Sequence, residues 1–147
     1  MEKIKKFLII FFIVATIFIL FMTNDGFAKP VKKYIVTSRY GPRGNIFHYG
    51  IDLVSLDGDL NIYSPANGIV TFAGWAGNAG NMVVLKANEY EFQFMHLQQI
   101  FVQINEKIKK DQKIGIMGTT GYSTGVHLHF GIKKNGNYIN PDDIFKF

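Results

Sequence analysis

Short runs rich in β-branched and aromatic residues, separated by glycine and asparagine, recur along the chain after residue 67. Such runs are typical of β-strands bounded by turns, and this part of the chain does not keep the longer apolar period of a helix. The runs cover residues 68–75, 82–85, 91–97, 113–117 and 127–132. Asn135-Gly136 follows the last run and favours the positive φ angles of a tight hairpin turn. The sequence therefore predicts a mainly β domain with an antiparallel sheet, in which the lysine-rich residues 107–113 form a solvated turn.

The length and the absence of cysteine limit how this domain is stabilised. Once the N-terminal segment is set aside, about 115 residues remain, which bury roughly two-thirds of their unfolded surface and form a single core. We therefore expect one domain over residues 38–147. Without disulfides its stability must come from packing and, where a metal binds, from the metal.

The first 28 residues have the features of an export signal. A start rich in lysine precedes an apolar run over residues 7–22, interrupted only by Thr16, and Gly26-Phe27-Ala28 offers a small-x-small cleavage site. We predict a signal peptide over residues 1–28, with an uncleaved membrane anchor as the alternative, and a short linker over residues 29–37. Either case predicts an exported domain, which is secreted and associated with the cell wall, or anchored in the membrane and facing outward.

The charge of the exported part indicates the kind of partner it meets. The whole chain carries 16 Lys and Arg against 11 Asp and Glu, and residues 1–28 hold three of the former and two of the latter, which leaves 13 − 9 = +4. A mild positive charge favours retention on an anionic wall or membrane surface. Nucleic acid is not expected as a partner, because the basic residues are not gathered into one stripe.

All four histidines fall in three short islands, with one aspartate among them. The islands are His48-x-x-x-Asp52, His96 and His127-x-His129. A catalytic zinc takes three protein ligands and keeps a fourth position open, so five candidates leave two side chains for proton transfer or charge stabilisation. Since residues i and i+2 of a strand share a face, His127 and His129 are expected side by side, with Leu128 and Phe130 directed into the core.

Each island also has a structural interpretation when it is taken alone. His96 shares the strand alternation of Phe92 and Phe94, so it is either a packed core histidine or part of the site. His48 and Asp52 either chelate one ion from a loop that leads into a strand or make only a turn contact or salt link. The co-occurrence of the three islands favours the metal site.

Beyond the islands, the chain resembles the lysostaphin-type zinc endopeptidases. The resemblance runs in collinear order from about residue 38 to about residue 144. The motifs that carry it are Ser38-Arg39-Tyr40-Gly41-Pro42-Arg43, His48-Tyr49-Gly50-Ile51-Asp52-Leu53, Pro65-Ala66-Asn67-Gly68-Ile69-Val70, Met95-His96-Leu97, the glycine-rich stretch 118–130 that ends in His127-Leu128-His129-Phe130, and Asn140-Pro141. The combination of H-x-x-x-D with a distant H-x-H is specific, whereas a single island is not.

The resemblance implies a β-sheet groove that holds one zinc and cuts peptide bonds in the stem or cross-bridge of bacterial peptidoglycan. It implies His48, Asp52 and His129 as zinc ligands, and His96 and His127 as catalytic histidines. It does not indicate which catalytic histidine takes which role.

Two positions depart from the pattern of many relatives. Phe94 stands where a tyrosine is common, and Gly131 stands where a glutamate or glutamine is common, so the sequence predicts the loss of a hydroxyl and of a polar group near the site. Arg43 is a candidate contact for a substrate carboxylate or oxyanion, and a surface salt link is the alternative.

Two other functions remain open on the sequence. A catalytically silent exported scaffold or activator of other wall hydrolases is one, although such family members usually lose a ligand or a catalytic histidine. A non-haem iron oxygenase is the other, because two histidines and one carboxylate also suit Fe(II). Export and the additional histidine pair argue against the oxygenase.

Overall fold

The computed structural model describes residues 26–147, so the predicted signal segment lies almost entirely outside the described residues. In the described part the chain is mostly β-strand. Its strands are β1 Tyr34–Ser38, β2 Gly41–Arg43, β3 Ile46–His48, β4 Ile51–Ser55, β5 Asn61–Tyr63, β6 Gly68–Trp75, β7 Asn81–Ala87, β8 Tyr90–Ile100, β9 Lys107–Ile108, β10 Lys113–Met117, β11 Leu128–Lys134 and β12 Asn137–Ile139. A 3₁₀ turn over Gly77–Ala79 and one short helix, α1 over Asp142–Phe145, complete the secondary structure. Within residues 26–147, the structure contains no helix with the length and apolar character needed to cross a membrane.

One antiparallel sheet organises the domain. Its strand order is β1-β4-β11-β8-β7-β6-β9, with β10 paired to β8 and β5, and β12 paired to β11. The strands β2 and β3 form a separate two-stranded sheet. The predicted fold class, mainly β and antiparallel, is confirmed.

The core lies on one face of the central strands. Phe92, Phe94, Leu128 and Phe130 are completely buried, and the ring centroids of Phe94 and Phe130 lie 5.4 Å apart. Burial of side chains of this size contributes roughly 1.5–3 kcal/mol each. Because alternate residues of a strand face opposite ways, the same packing directs His129 to the other face of β11.

Some local predictions are confirmed and others are not. The bounds of β6 and β10 match the predicted runs, and Asn135 and Gly136 have φ angles of 49° and 82° between β11 and β12, as a tight hairpin turn requires. The solvated turn predicted over 107–113 is wrong at its start, because β9 pairs with β6 there. Residues 29–37, predicted as a linker, contain β1, which pairs with β4. A strand as short as β9 has too few residues to show an alternation in the sequence.

Candidate metal centre

Three side chains from three strands meet at one point on the open face of the sheet. His48 ends β3, Asp52 lies in β4, and His129 lies in β11 as the direct cross-strand partner of Asp52. Asp52 Oδ1 lies 3.1 Å from His48 Nε2 and 2.9 Å from His129 Nδ1, and the two nitrogens lie 2.9 Å apart. The sheet register therefore places residues 48, 52 and 129 together as a candidate metal-binding group.

The chemistry of this donor set suits a cation. When a metal replaces the hydrogen bonds to Asp52, His48 can keep its proton on Nδ1, which lies 2.8 Å from the acceptor carbonyl oxygen of Arg39, and present the Nε2 lone pair to the centre. Two imidazole nitrogens and one carboxylate oxygen are ligands that zinc prefers. Tetrahedral ligands about 2.0–2.1 Å from zinc would lie about 3.3 Å apart, so the spacing seen here requires only a small expansion.

Hydrogen bonds to Asp52 keep its carboxylate charged. Burial raises the pKa of Asp52, but hydrogen bonds from His129, His48 and Arg43 outweigh burial and hold that pKa well below its ordinary range. The carboxylate is therefore available as an anionic ligand at neutral pH.

The remaining two histidines, His96 and His127, lie beside this group with matching orientations. Their ring centroids are 4.8 Å apart, and His127 Nε2 lies 3.9 Å from Asp52 Oδ1. His96 Nδ1 lies 2.8 Å from the carbonyl oxygen of Thr120, and His127 Nδ1 lies 2.8 Å from that of Gly125. In the neutral form each ring therefore keeps its proton on Nδ1 and has Nε2 available as a base.

His96 reaches the site through a β-bulge. Simple alternation would place it with Phe92 and Phe94 on the core face, but its φ is 64°, and the pairing of β8 with β7 shifts register between Phe94 and Leu97. A residue inserted in this way redirects the side chain that carries it. The core interpretation of His96 is wrong, because its ring lies against His127 on the open face.

Thr120 positions His96 and was not identified from the sequence. Besides its carbonyl contact, its hydroxyl donates to the carbonyl of Leu97 at 2.9 Å and accepts from the backbone N–H of Asn81 at 3.0 Å. A Cβ on Gly80 would lie 2.4 Å from Thr120 atoms, and Gly80 has a φ of 65°. Only glycine lets the two loops approach this closely. The repeated glycines of both loops were the only sequence signal for this contact.

Gly50 is required by the position of His129. A Cβ at residue 50 would lie 2.6 Å from His129 Nε2 and 2.7 Å from the carbonyl oxygen of Phe130. We expect Gly50→Ala to displace His129, to lower zinc affinity by tenfold or more, and to destabilise the fold by about 1–3 kcal/mol through overpacking. Chelator competition and urea unfolding measure the two effects. Gly136→Ala is a control. A Cβ at residue 136 would meet no atom within 4 Å, so with a φ of 82° this substitution introduces backbone strain without overpacking. Wild-type zinc affinity in Gly50→Ala would contradict the expectation.

The metal-free protein should lose stability as the solution becomes mildly acidic. Burial lowers the pKa of His96, and the hydrogen bond to the Thr120 carbonyl only partly opposes this shift. Burial also lowers the pKa of His129, and the hydrogen bond to Asp52 only partly opposes it. Below the unfolded pKa of about 6.5 the unfolded chain binds more protons than the folded chain, so stability falls as pH falls through this window. Urea midpoints with chelator, measured between about pH 7.5 and about pH 5.5, test this. A midpoint that rises on acidification would refute it.

Two open hollows flank the centre. The first has a volume of about 260 Å³ and combines Asp52 and His127 with polar groups of Thr37, Ser38 and Thr124. The second, of about 440 Å³, combines His96 and His129 with the apolar side chains Phe47, Met95 and Tyr122. A chain-like ligand laid across the centre would therefore meet a polar wall on one side and an apolar wall on the other.

The two departures from the family pattern have different surroundings. Phe94 is buried in the core, and Gly131, which is also buried, lies two residues after His129 on the same face of β11, beside Gln93. A Cβ on Gly131 would lie 3.3 Å from Gln93 Oε1, which accepts a hydrogen bond from the Tyr138 hydroxyl at 3.1 Å. The amide of Gln93 therefore provides a polar group where the sequence predicted that one was lost.

The fold and the site define an antiparallel β domain with a candidate metal centre, and the comparisons place this domain in a family of peptidases. The family model described as Peptidase family M23 matches residues 46–141. The chain belongs to this family, and the resemblance to lysostaphin-type enzymes is confirmed.

A curated relative and two solved structures illustrate the similarity. The peptidoglycan DD-endopeptidase ShyA of Vibrio cholerae is 33% identical over 112 residues, which cover 76% of this chain and 25% of that protein. A zinc-containing peptidase from Vibrio cholerae superposes with a TM-score of 0.72 and 31% identity, covering 78% of this chain and 39% of that one. The catalytic domain of lysostaphin from Staphylococcus simulans superposes with a TM-score of 0.69 and 30% identity, covering 78% and 93%. The chain spans about a third or less of the length of the first curated relatives that it matches.

Proposed function

We propose that the protein is a zinc-dependent endopeptidase that hydrolyses peptide bonds in the stem or cross-bridge peptides of bacterial peptidoglycan. The observation that carries the proposal is the meeting of His48 Nε2, Asp52 Oδ1 and His129 Nδ1 within 3.1 Å of one another, beside two further histidines. Peptidoglycan as the substrate is supported by the relative that is named a peptidoglycan endopeptidase.

In the proposed mechanism, zinc when bound supplies Lewis acidity towards the substrate carbonyl and the attacking water. His96 and His127 then accept and donate protons. A neutral Nε2 accepts the proton of the attacking water, and the resulting imidazolium donates to the oxyanion or to the leaving amine. The carbonyls of Thr120 and Gly125 hold the two rings in the tautomer that this requires. The assignment of one role to each histidine stays open.

The shape of the groove supports a peptide substrate. An extended chain crossing the centre would lie between Ser38 and Thr124 on one side and Phe47 and Tyr122 on the other. Both hollows are open to solvent, which suits a segment of a cross-linked polymer that cannot be threaded into a closed cavity.

Mass spectrometry of fragments released from purified peptidoglycans tests the proposal. The full chain, purified in mild detergent and loaded with zinc, is expected to produce new peptide termini that are absent from a chelated sample. Failure of a folded, zinc-loaded chain to cleave several wall types would favour the silent scaffold or activator. Stoichiometric iron with oxygen-dependent turnover would instead indicate the oxygenase chemistry.

We also propose that the domain acts outside the cytoplasm, in or on the cell wall, with residues 1–28 as signal peptide or membrane anchor. The ring of Phe27 lies 5.1 Å from that of Tyr90 and 5.0 Å from that of Phe92. Cleavage after Ala28 would remove this aromatic group from the core edge, so the packing favours the anchored form. N-terminal sequencing of the exported protein distinguishes the two, since a start at Lys29 would establish cleavage.

A further inference from the structure

The two carboxylate oxygens of Asp52 face different partners. Oδ1 faces His48 Nε2 and His129 Nδ1, at 3.1 Å and 2.9 Å. Oδ2 turns away from them and accepts a hydrogen bond from Arg43 Nη2 at 2.6 Å. One oxygen is therefore directed to the candidate metal position, and the other is held by a guanidinium.

We propose that Arg43 is a positioning residue that keeps Asp52 a one-oxygen metal ligand and so preserves an open coordination position. The inference rests on the zinc site proposed above. Carboxylates bind metals through one oxygen or through both, and a second oxygen on the metal would occupy space that the attacking water needs. A charge-assisted hydrogen bond of this length is among the stronger ones in proteins, so it opposes rotation of Oδ2 towards the metal.

The surroundings of Arg43 keep its guanidinium in place. Nη2 also donates to the hydroxyl of Ser38, and Ser38 is the cross-strand partner of Asp52 between β1 and β4. The backbone of Arg43 pairs with Ile46 across the β2–β3 hairpin, which turns at Gly44 with a φ of 57°. The guanidinium is thus fixed from two elements and spans the β1–β4 pair beside the centre.

An arginine meets this geometry better than a lysine does. Both hydrogen bonds, to Ser38 and to Asp52, come from the one nitrogen Nη2, whose two N–H directions are fixed by the planar guanidinium, whereas an ammonium acts as a mobile point charge. Arg43 Nη2 also lies 2.7 Å from His48 Nδ1. The guanidinium can only donate, so this contact is a hydrogen bond when the His48 proton is on Nε2. The Arg43 side chain is 38% exposed. Its ion pair matters because the partner is Oδ2 of Asp52, whose other oxygen faces the candidate metal position.

The inference differs from the two roles suggested by the sequence, which were a substrate contact and a surface salt link. A substrate contact acts on KM and leaves the metal coordination unchanged. A surface salt link contributes little to stability and changes neither KM nor the metal coordination. A positioning role changes the coordination of the metal in the absence of any substrate.

Cobalt substitution tests this directly. Co²⁺ is bound to the full chain in mild detergent, and its visible d–d bands are compared among the unsubstituted protein, Arg43→Ala, Arg43→Gln and Arg43→Lys. Four-coordinate cobalt absorbs more intensely than five- or six-coordinate cobalt. We expect weaker bands in Arg43→Ala and Arg43→Gln, Co²⁺ affinity that does not fall, and a kcat with zinc lower by about 10- to 100-fold with little change in KM. Arg43→Lys should recover part of both the intensity and kcat.

Lys134→Ala removes another cation from an ion pair, with Glu89 at 3.1 Å, five residues further along β11 than His129, and should leave the spectrum unchanged. Unchanged cobalt bands in a folded Arg43→Gln variant would overturn the inference while the zinc site stands, and so would a raised KM with unchanged bands. If Arg43→Ala does not fold, Arg43→Gln and Arg43→Lys provide the same comparison. An unsubstituted chain that binds no Co²⁺ or Zn²⁺ would instead overturn the proposed function and the inference together.

Discussion

Replacing His127 by alanine is expected to lower peptidase activity by about 10²- to 10⁴-fold while one zinc per chain is retained. The ring of His127 lies beside the three ligand atoms, with its Nε2 3.9 Å from Asp52 Oδ1. The variant therefore loses a proton carrier without losing a ligand. Release of peptide fragments from peptidoglycan, measured together with zinc content by elemental analysis, separates the two effects.

The companion variant His96→Ala should behave in the same way, because its Nδ1 is held by Thr120 in the matching tautomer. A double variant would show whether the two rings act as a unit, in which case the two losses are far from additive. Lys33→Ala serves as a control, since it removes only an exposed ion pair with Asp57. Loss of zinc from His127→Ala would show that this histidine is a ligand and would contradict the assignment.

Replacing Asp52 by alanine is expected to remove zinc binding and activity together. Asp52 Oδ1 is the only carboxylate oxygen among the three atoms that meet at the centre, so the variant leaves two neutral imidazoles as ligands. Loss of a partner of a ligand typically costs 10- to 100-fold in metal affinity, and loss of the ligand itself should cost more. Since a metal that binds only the folded state stabilises it, the rise in melting temperature on adding zinc should disappear.

Differential scanning fluorimetry with and without zinc, supported by chelator competition, measures this outcome. Asp143→Ala is a matched control, because it removes an exposed carboxylate from α1, and its melting temperature should keep the response to zinc. An Asp52→Ala variant that bound zinc as tightly as the unsubstituted chain would show that the proposed ligand set is wrong.

Local sequence features were sufficient for several parts of the fold. The strands β6 and β10 and the hairpin turn at Asn135-Gly136 follow from residue preferences that act over a few positions. Leu128 and Phe130 point into the core because alternation along one strand needs no knowledge of its neighbours. The short strands β1, β2, β3 and β5 escaped prediction, since three to five residues carry little periodic signal and are stabilised by their partners.

The sequence by itself determined which residues are candidates for binding and activating a metal: the four histidines, with Asp52 among them. Only the tertiary structure decided how they are used. The register of β4 against β11 places Asp52 opposite His129, 77 positions away in the chain. A bulge turns His96 out of the core, and Arg43 donates a hydrogen bond to one of the two oxygens of Asp52. These arrangements depend on contacts between segments distant in sequence, and local propensities and periodicity carry no information about such contacts.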